Sequence, residues 1–184
     1  MSEALLIDHA SPTLAGLKTG ALFSCPAEDS GVLRESLRQL NRVLVPRGVR
    51  VLPVRCLEGR VLIYLYRPAR LRRDLANGTA RDILVSRGYP AEDSERCVVE
   101  LMRRLRSDGS FPHEVGLFLG YPSEDVSGFI QHGAKCAKCV GTWKVYGDEA
   151  AAQKKFALYR KCTRVYREAY DRHRSLSRLT VRGT

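Results

Sequence analysis

The segment that most restricts the fold is Arg60–Tyr66, RVLIYLY, because from Val61 onward it is apolar on both faces. A strand of that kind must lie inside a sheet covered on each side, since no face of it is suited to water. Val49–Cys56 precedes it and is also strand-like, and Leu57-Glu58-Gly59 between them reads as the turn of a hairpin. Residues 11–25 read as a turn leading into a further apolar strand, Ala21–Cys25. Glu114–Leu119 and Thr142–Tyr146 (TWKVY) complete the expected strands.

The remaining segments have helical spacing. Ser30–Val43 follows a natural cap at Asp29 or Ser30, and Pro68 opens a helix over Ala69–Ala76. Thr79 is placed to cap Ala80–Ser86, and Ser94–Arg106 turns Cys97, Val98, Leu101, Met102 and Leu105 to one side. Ser123 is expected to cap a short helix through Ile130. Asp148 is expected to cap a long C-terminal one with the stripe Ala152, Phe156, Tyr159, Thr163, Tyr166 and Tyr170. Strands and helices are mixed without strict alternation. The predicted fold is α+β: a central mixed sheet of four to five strands covered by helices, with a long C-terminal helix.

One domain over residues 1–184 fits this length, with 171–184 a candidate flexible basic tail. A chain of this size with 44% apolar residues can build a core without covalent staples. No apolar run approaches the roughly 18 residues of a membrane span, and no secretory leader precedes the first strand. The expectation is a cytoplasmic protein with no membrane partner.

Charge is unevenly distributed. Ten Lys or Arg between Lys154 and Arg182 face only Glu168 and Asp171, so this segment carries +8 of the net +11. Tyr159, Tyr166 and Tyr170 are interleaved with them. A basic helix of this composition suits RNA or another polyanion, because neutralised phosphates release counterions. A solvated helix face has the same composition, so nucleic acid is not the favoured partner. Lys154 and Lys155 on this helix, and Arg67 and Arg70 after the central strand, are candidate anion-binding residues.

Six cysteines stand at 25, 56, 97, 136, 139 and 162. A reducing compartment argues against reading the even number as disulfides. Cys136 and Cys139 form a Cys-x-x-Cys turn flanked by Lys135 and Lys138, whose charges favour thiolate. With Cys162, and with His113 or His132 as a fourth group, they would form a metal or thiol-redox site for zinc or iron. Buried, inert cysteines are the plainer alternative. His113 precedes an expected buried strand and follows Pro112, a position suited to a ligand or a general base, or simply to a strand-end hydrogen bond.

Several stretches together resemble one known family: SPTLAGLKTGALFSC, RVLIYLYRPARLRRDL, FPHEVGLFLGYPSEDVSGFI and CVGTWKVYGDEAAAQKKFALYRKC. It is the bacterial family called domain of unknown function 3793, and the similarity runs from residue 5 to about 170. The resemblance implies a stand-alone cytoplasmic protein of an anaerobe and brings no established activity. More distantly, His-x-x-Gly-Leu-Phe-Leu-Gly is similar to the histidine strand of papain-like cell-wall hydrolases, with Cys25 as the candidate nucleophile facing His113. The chain has an extra residue in that pattern and lacks a nameable third partner. The first reading is therefore the cysteine site, with a Cys25–His113 hydrolase or transferase and polyanion binding as alternatives.

Overall fold

The computed structural model describes residues 2–27, 29–107 and 109–183. Its centre is the predicted apolar strand. β3 (Arg60–Tyr66) lies between β1 (Gly20–Pro26) and β2 (Arg50–Leu57), antiparallel to both. Gly20 pairs with Tyr66 and Cys25 with Val61 on one side, while Arg50 pairs with Tyr66 and Leu57 with Arg60 on the other. Alternation along β3 divides the core. Val61, Ile63 and Leu65 enter one apolar cluster and Tyr64 and Tyr66 the other.

Helices cover both faces. α1 (Glu3–Leu14) and α2 (Ser30–Leu44) pack with Leu176 against the first. The second is covered by α3 (Pro68–Leu75), α4 (Gly78–Ser86), α5 (Ser94–Arg106), α6 (Val115–Phe118) and α7 (Ser123–His132). Tyr64 is fully buried there, and its hydroxyl donates to Phe118 O at 2.9 Å. β2 carries a bulge at Val54, which turns that residue into the α5 side of the core. β4 (Cys139–Val140) and β5 (Lys144–Val145) form a separate two-stranded ribbon, followed by α8 (Glu149–His173) and α9 (Leu176–Leu179). Asp148 caps α8 through Ala151 N, as its sequence position predicts.

The expected four- to five-stranded sheet is not what forms: three strands make the central sheet and two make the ribbon. Two local causes account for this. The run Glu114–Leu119 coils instead of extending, because a short apolar run suits a buried helical turn as well as a strand. Val115 N donates to Pro112 O and Leu117 N to Glu114 O, and Gly116 leaves no room for a side chain against Val126. Ribbon growth beyond β5 is stopped by Asp125. Its carboxylate accepts from Tyr146 N and Gly147 N at 2.7 Å each, and from the Trp143 indole at 2.7 Å. Those backbone donors are thereby taken from any longer ladder.

At the other end, residues 11–14 close α1 rather than forming a turn, with Pro12 inside the helix. Past α8 the chain crosses back over the domain. Leu176 and Thr180 are buried, Val181 N donates to Leu14 O at 3.0 Å, and Gly183 N donates to Arg47 O at 3.0 Å. Among the described residues, no helix is long and apolar enough to cross a membrane.

Candidate anion-binding site

α1 and α8 pack side by side, and between them lies a cavity of about 420 Å³. From α1 come His9, Pro12 and Thr13; from α8 come Tyr159, Arg160, Thr163, Arg164 and Arg167. Lys18 and Thr142 complete the wall, and no carboxylate is part of it.

Two groups in this cavity are poorly satisfied by the protein alone. Thr13 is fully buried, and its hydroxyl has no hydrogen-bond partner. Such a group costs about 1–3 kcal/mol unless something pairs with it. Lys18 is mostly enclosed with no carboxylate beside it, and its Nζ lies 5.2 Å from the centroid of the Tyr121 ring. Burial pulls its pKa down to about 8. Arg160 and Arg164 are exposed at the mouth, while Arg167 is held by Asp8 at 2.6 Å. The His9 ring stacks on Phe23 at 5.1 Å.

The end of α1 would ordinarily present partial negative charge. Arg67 offsets it. This buried guanidinium donates to Thr13 O and Leu14 O at 2.6 Å each, and to Val181 O at 2.8 Å. The arrangement is one of hydrogen-bond donors and cations around an open cavity, suited to holding an oxyanion.

The predicted site residues fall in several places. Arg67 works in the interior, as described. Arg70 and Lys155 share a cavity of about 440 Å³ with Arg73, but Asp74, Glu124, Asp125 and Asp148 line it too, so its acids outnumber its bases. Lys154 is exposed on α8.

The cysteines are dispersed. All six are free thiols. Cys139 lies at the start of α8, interacting with Glu149 and Gln153. Cys162 is nine residues beyond Gln153 on the same helix, about 13 Å farther along its axis. Among the described residues no group of three or more His, Cys, Asp or Glu side chains is placed to hold a metal ion. Partial burial and Glu149 raise the pKa of Cys139, and burial raises that of Cys162. Both shifts deplete thiolate, the form that ligates metal and attacks. Cys136 is exposed on a backbone with φ of 63°.

Cys25 and His113 lie on opposite faces of the sheet. Cys25 is buried in the α1–α2 cluster, next to Val61 in register. His113 is exposed, its ring 4.9 Å from Phe129 in an edge-on contact, at a second cavity of about 270 Å³ lined by Tyr121, Trp143 and Lys144. The central sheet separates the two, so the dyad is not assembled.

Sequence reading found the α8 half of the cleft through its basic run and missed the α1 half. Pro12 disguised the helix that carries His9 and Thr13, and a single Lys18 in a glycine-rich turn carries no signal of its burial. No curated protein and no solved structure matches the chain. A family model described as "Protein of unknown function (DUF3793)" matches residues 6–180, nearly the whole chain, and the chain belongs to that family.

Proposed function

We propose that the protein binds a phosphate-bearing anion in the α1–α8 cleft, with the basic face of α8 extending the attraction to a longer polyanion. The observation that carries this reading is the fully buried Thr13 hydroxyl, left without a partner at a cavity that also holds the enclosed Lys18. A phosphate oxygen would accept from Lys18, and Arg160 and Arg164 stand at the mouth to neutralise the remaining charge. Binding would raise the Lys18 pKa back toward its ordinary value and hold the ammonium charged to higher pH, because a neighbouring anion raises an ammonium pKa. Lys161 and Arg172, exposed along α8, lie where further phosphates of a nucleic acid strand would run.

The test is thermal denaturation with inorganic phosphate against chloride at equal ionic strength. A ligand that binds only the folded state raises the midpoint with concentration. Phosphate is expected to raise it further in the native protein than in the Arg160→Ala/Arg164→Ala variant. An equal rise in both proteins, or none in either, would reject the site. A labelled single-stranded RNA then separates the two sources of phosphate. Affinity that falls steeply with salt marks a nucleic acid ligand, and a flat response marks a small phosphorylated compound.

A further inference from the structure

On the far side of Arg67 lies another cavity, of about 490 Å³, which the reading above does not use. Its walls carry Arg67, Arg70, Arg72, Arg73 and Arg182, and among the described residues no acidic side chain lines it. Among the described residues none of these five arginines is in an ion pair: Arg67 and Arg70 donate only to backbone carbonyls. So many unneutralised guanidinium groups around one hollow repel each other, and a bound anion relieves that repulsion.

Three further observations converge there. α3 begins at Pro68 with no side chain capping it; Leu71 N donates to Arg67 O, which leaves the amides of Ala69 and Arg70 without an intrahelical partner at the end that faces the hollow. Arg67 spends Nε and Nη2 on carbonyls, while Nη1 points toward Gly183, 3.6 Å from where a β-carbon at that position would be. Gly16 and Gly183 flank this guanidinium, and a β-carbon on Gly16 would approach its Cζ to 3.9 Å. Small residues thus keep Nη1 of a buried arginine open to the cavity.

We propose that this hollow is a second anion site, taking a phosphate group on Arg67 Nη1, the first-turn amides of α3, and the guanidinium groups of Arg72 and Arg182. It stands independently of the α1–α8 cleft. Nη1 of Arg67, held in place by the three carbonyl contacts of Nε and Nη2, would donate to one phosphate oxygen while Arg72 and Arg182 take others.

The experiment uses the full chain in the Arg160→Ala/Arg164→Ala background, where the cleft is disabled, with inorganic phosphate as the probe in calorimetric titration. One equivalent is expected to bind. Affinity should fall at least tenfold on adding Arg72→Ala and Arg182→Ala, which are exposed and leave the midpoint in chloride unchanged. Gly183→Val should lower it likewise by filling the space before Nη1. The proposal is overturned if phosphate does not bind in that background, or binds equally after Arg72 and Arg182 are replaced. Because the cleft is already inactive in every sample, a failure here is separate from failure of the cleft.

Discussion

The Nε of Arg67 donates to the carbonyl oxygen of Thr13 at 2.6 Å, across 54 residues of sequence. That contact terminates α1 against the end of the central strand and holds the Thr13 hydroxyl in the wall of the cleft. The same guanidinium also lines the α3 hollow, so one side chain ties the end of α1 to that cavity wall.

Arg67→Met should therefore be among the most damaging substitutions. It removes three charge-assisted hydrogen bonds, a loss of about 3 kcal/mol, because Gly16 N still donates to Thr13 O and Val181 N to Leu14 O. Urea unfolding would show a lower midpoint with little change in slope. Arg67→Lys should recover only part of the loss, since an ammonium cannot span the same three acceptors.

Thr13→Val separates stability from binding. The hydroxyl has no partner, so replacing it by a methyl should leave stability unchanged or raise it by about 1 kcal/mol. Phosphate-dependent stabilisation should weaken in the same protein. A variant that unfolds earlier in chloride would show that the hydroxyl is paired after all.

Lys18 predicts a pH dependence of definite sign. Its pKa falls from 10.5 to about 8 on folding, so between those values the unfolded chain binds more protons and stability rises with pH. The rise is up to about 3 kcal/mol, and phosphate affinity should fall over the same interval as the amine discharges. His9, Arg160, Arg164, Arg167, Tyr121 and Tyr159 also face this region. Burial raises the pKa of Tyr121 to about 12 and also raises that of Tyr159, so any tyrosine ionisation enters only at the upper edge. Subtracting the pH–stability curve of Lys18→Met from that of the native protein isolates the lysine.

Asp125→Ala removes one carboxylate that serves three donors. Two backbone amides and the Trp143 indole lose their acceptor, a cost of about 3 kcal/mol or more. The emission of Trp143, the chain's single tryptophan, should shift to longer wavelength as water reaches the ring.

Thiol reactivity offers a check on the cysteine placement. Cys56 and Cys136 are exposed and should alkylate first under native conditions, followed by Cys139. Cys25, Cys97 and Cys162 are buried, and burial with Asp93 and Glu92 nearby raises Cys97 to about 11, so all three should react only on unfolding. Mass spectrometry of timed iodoacetamide labelling resolves the order. Early labelling of Cys162 would contradict the packing of α8.

Periodicity alone determined the elements whose neighbours supply ordinary burial. The double-faced apolar run of β3, the amphipathic spacing of Ser94–Arg106 and the Asp148 cap of α8 are local properties, and each forms as its residues dictate. The basic character of α8 was equally legible, since charge is additive along a chain. Tertiary structure decided the rest. Whether Glu114–Leu119 extends or coils depends on Gly116 closing against Val126, and the ribbon length depends on Asp125 capturing amides some 21 and 22 residues away. Thr13 and Lys18 line one cavity, and Arg67 meets the Thr13 carbonyl, because one helix end, one turn and one strand end were brought together. Burial and hydrogen-bond partnership belong to the packed chain, and no run of neighbouring residues encodes them.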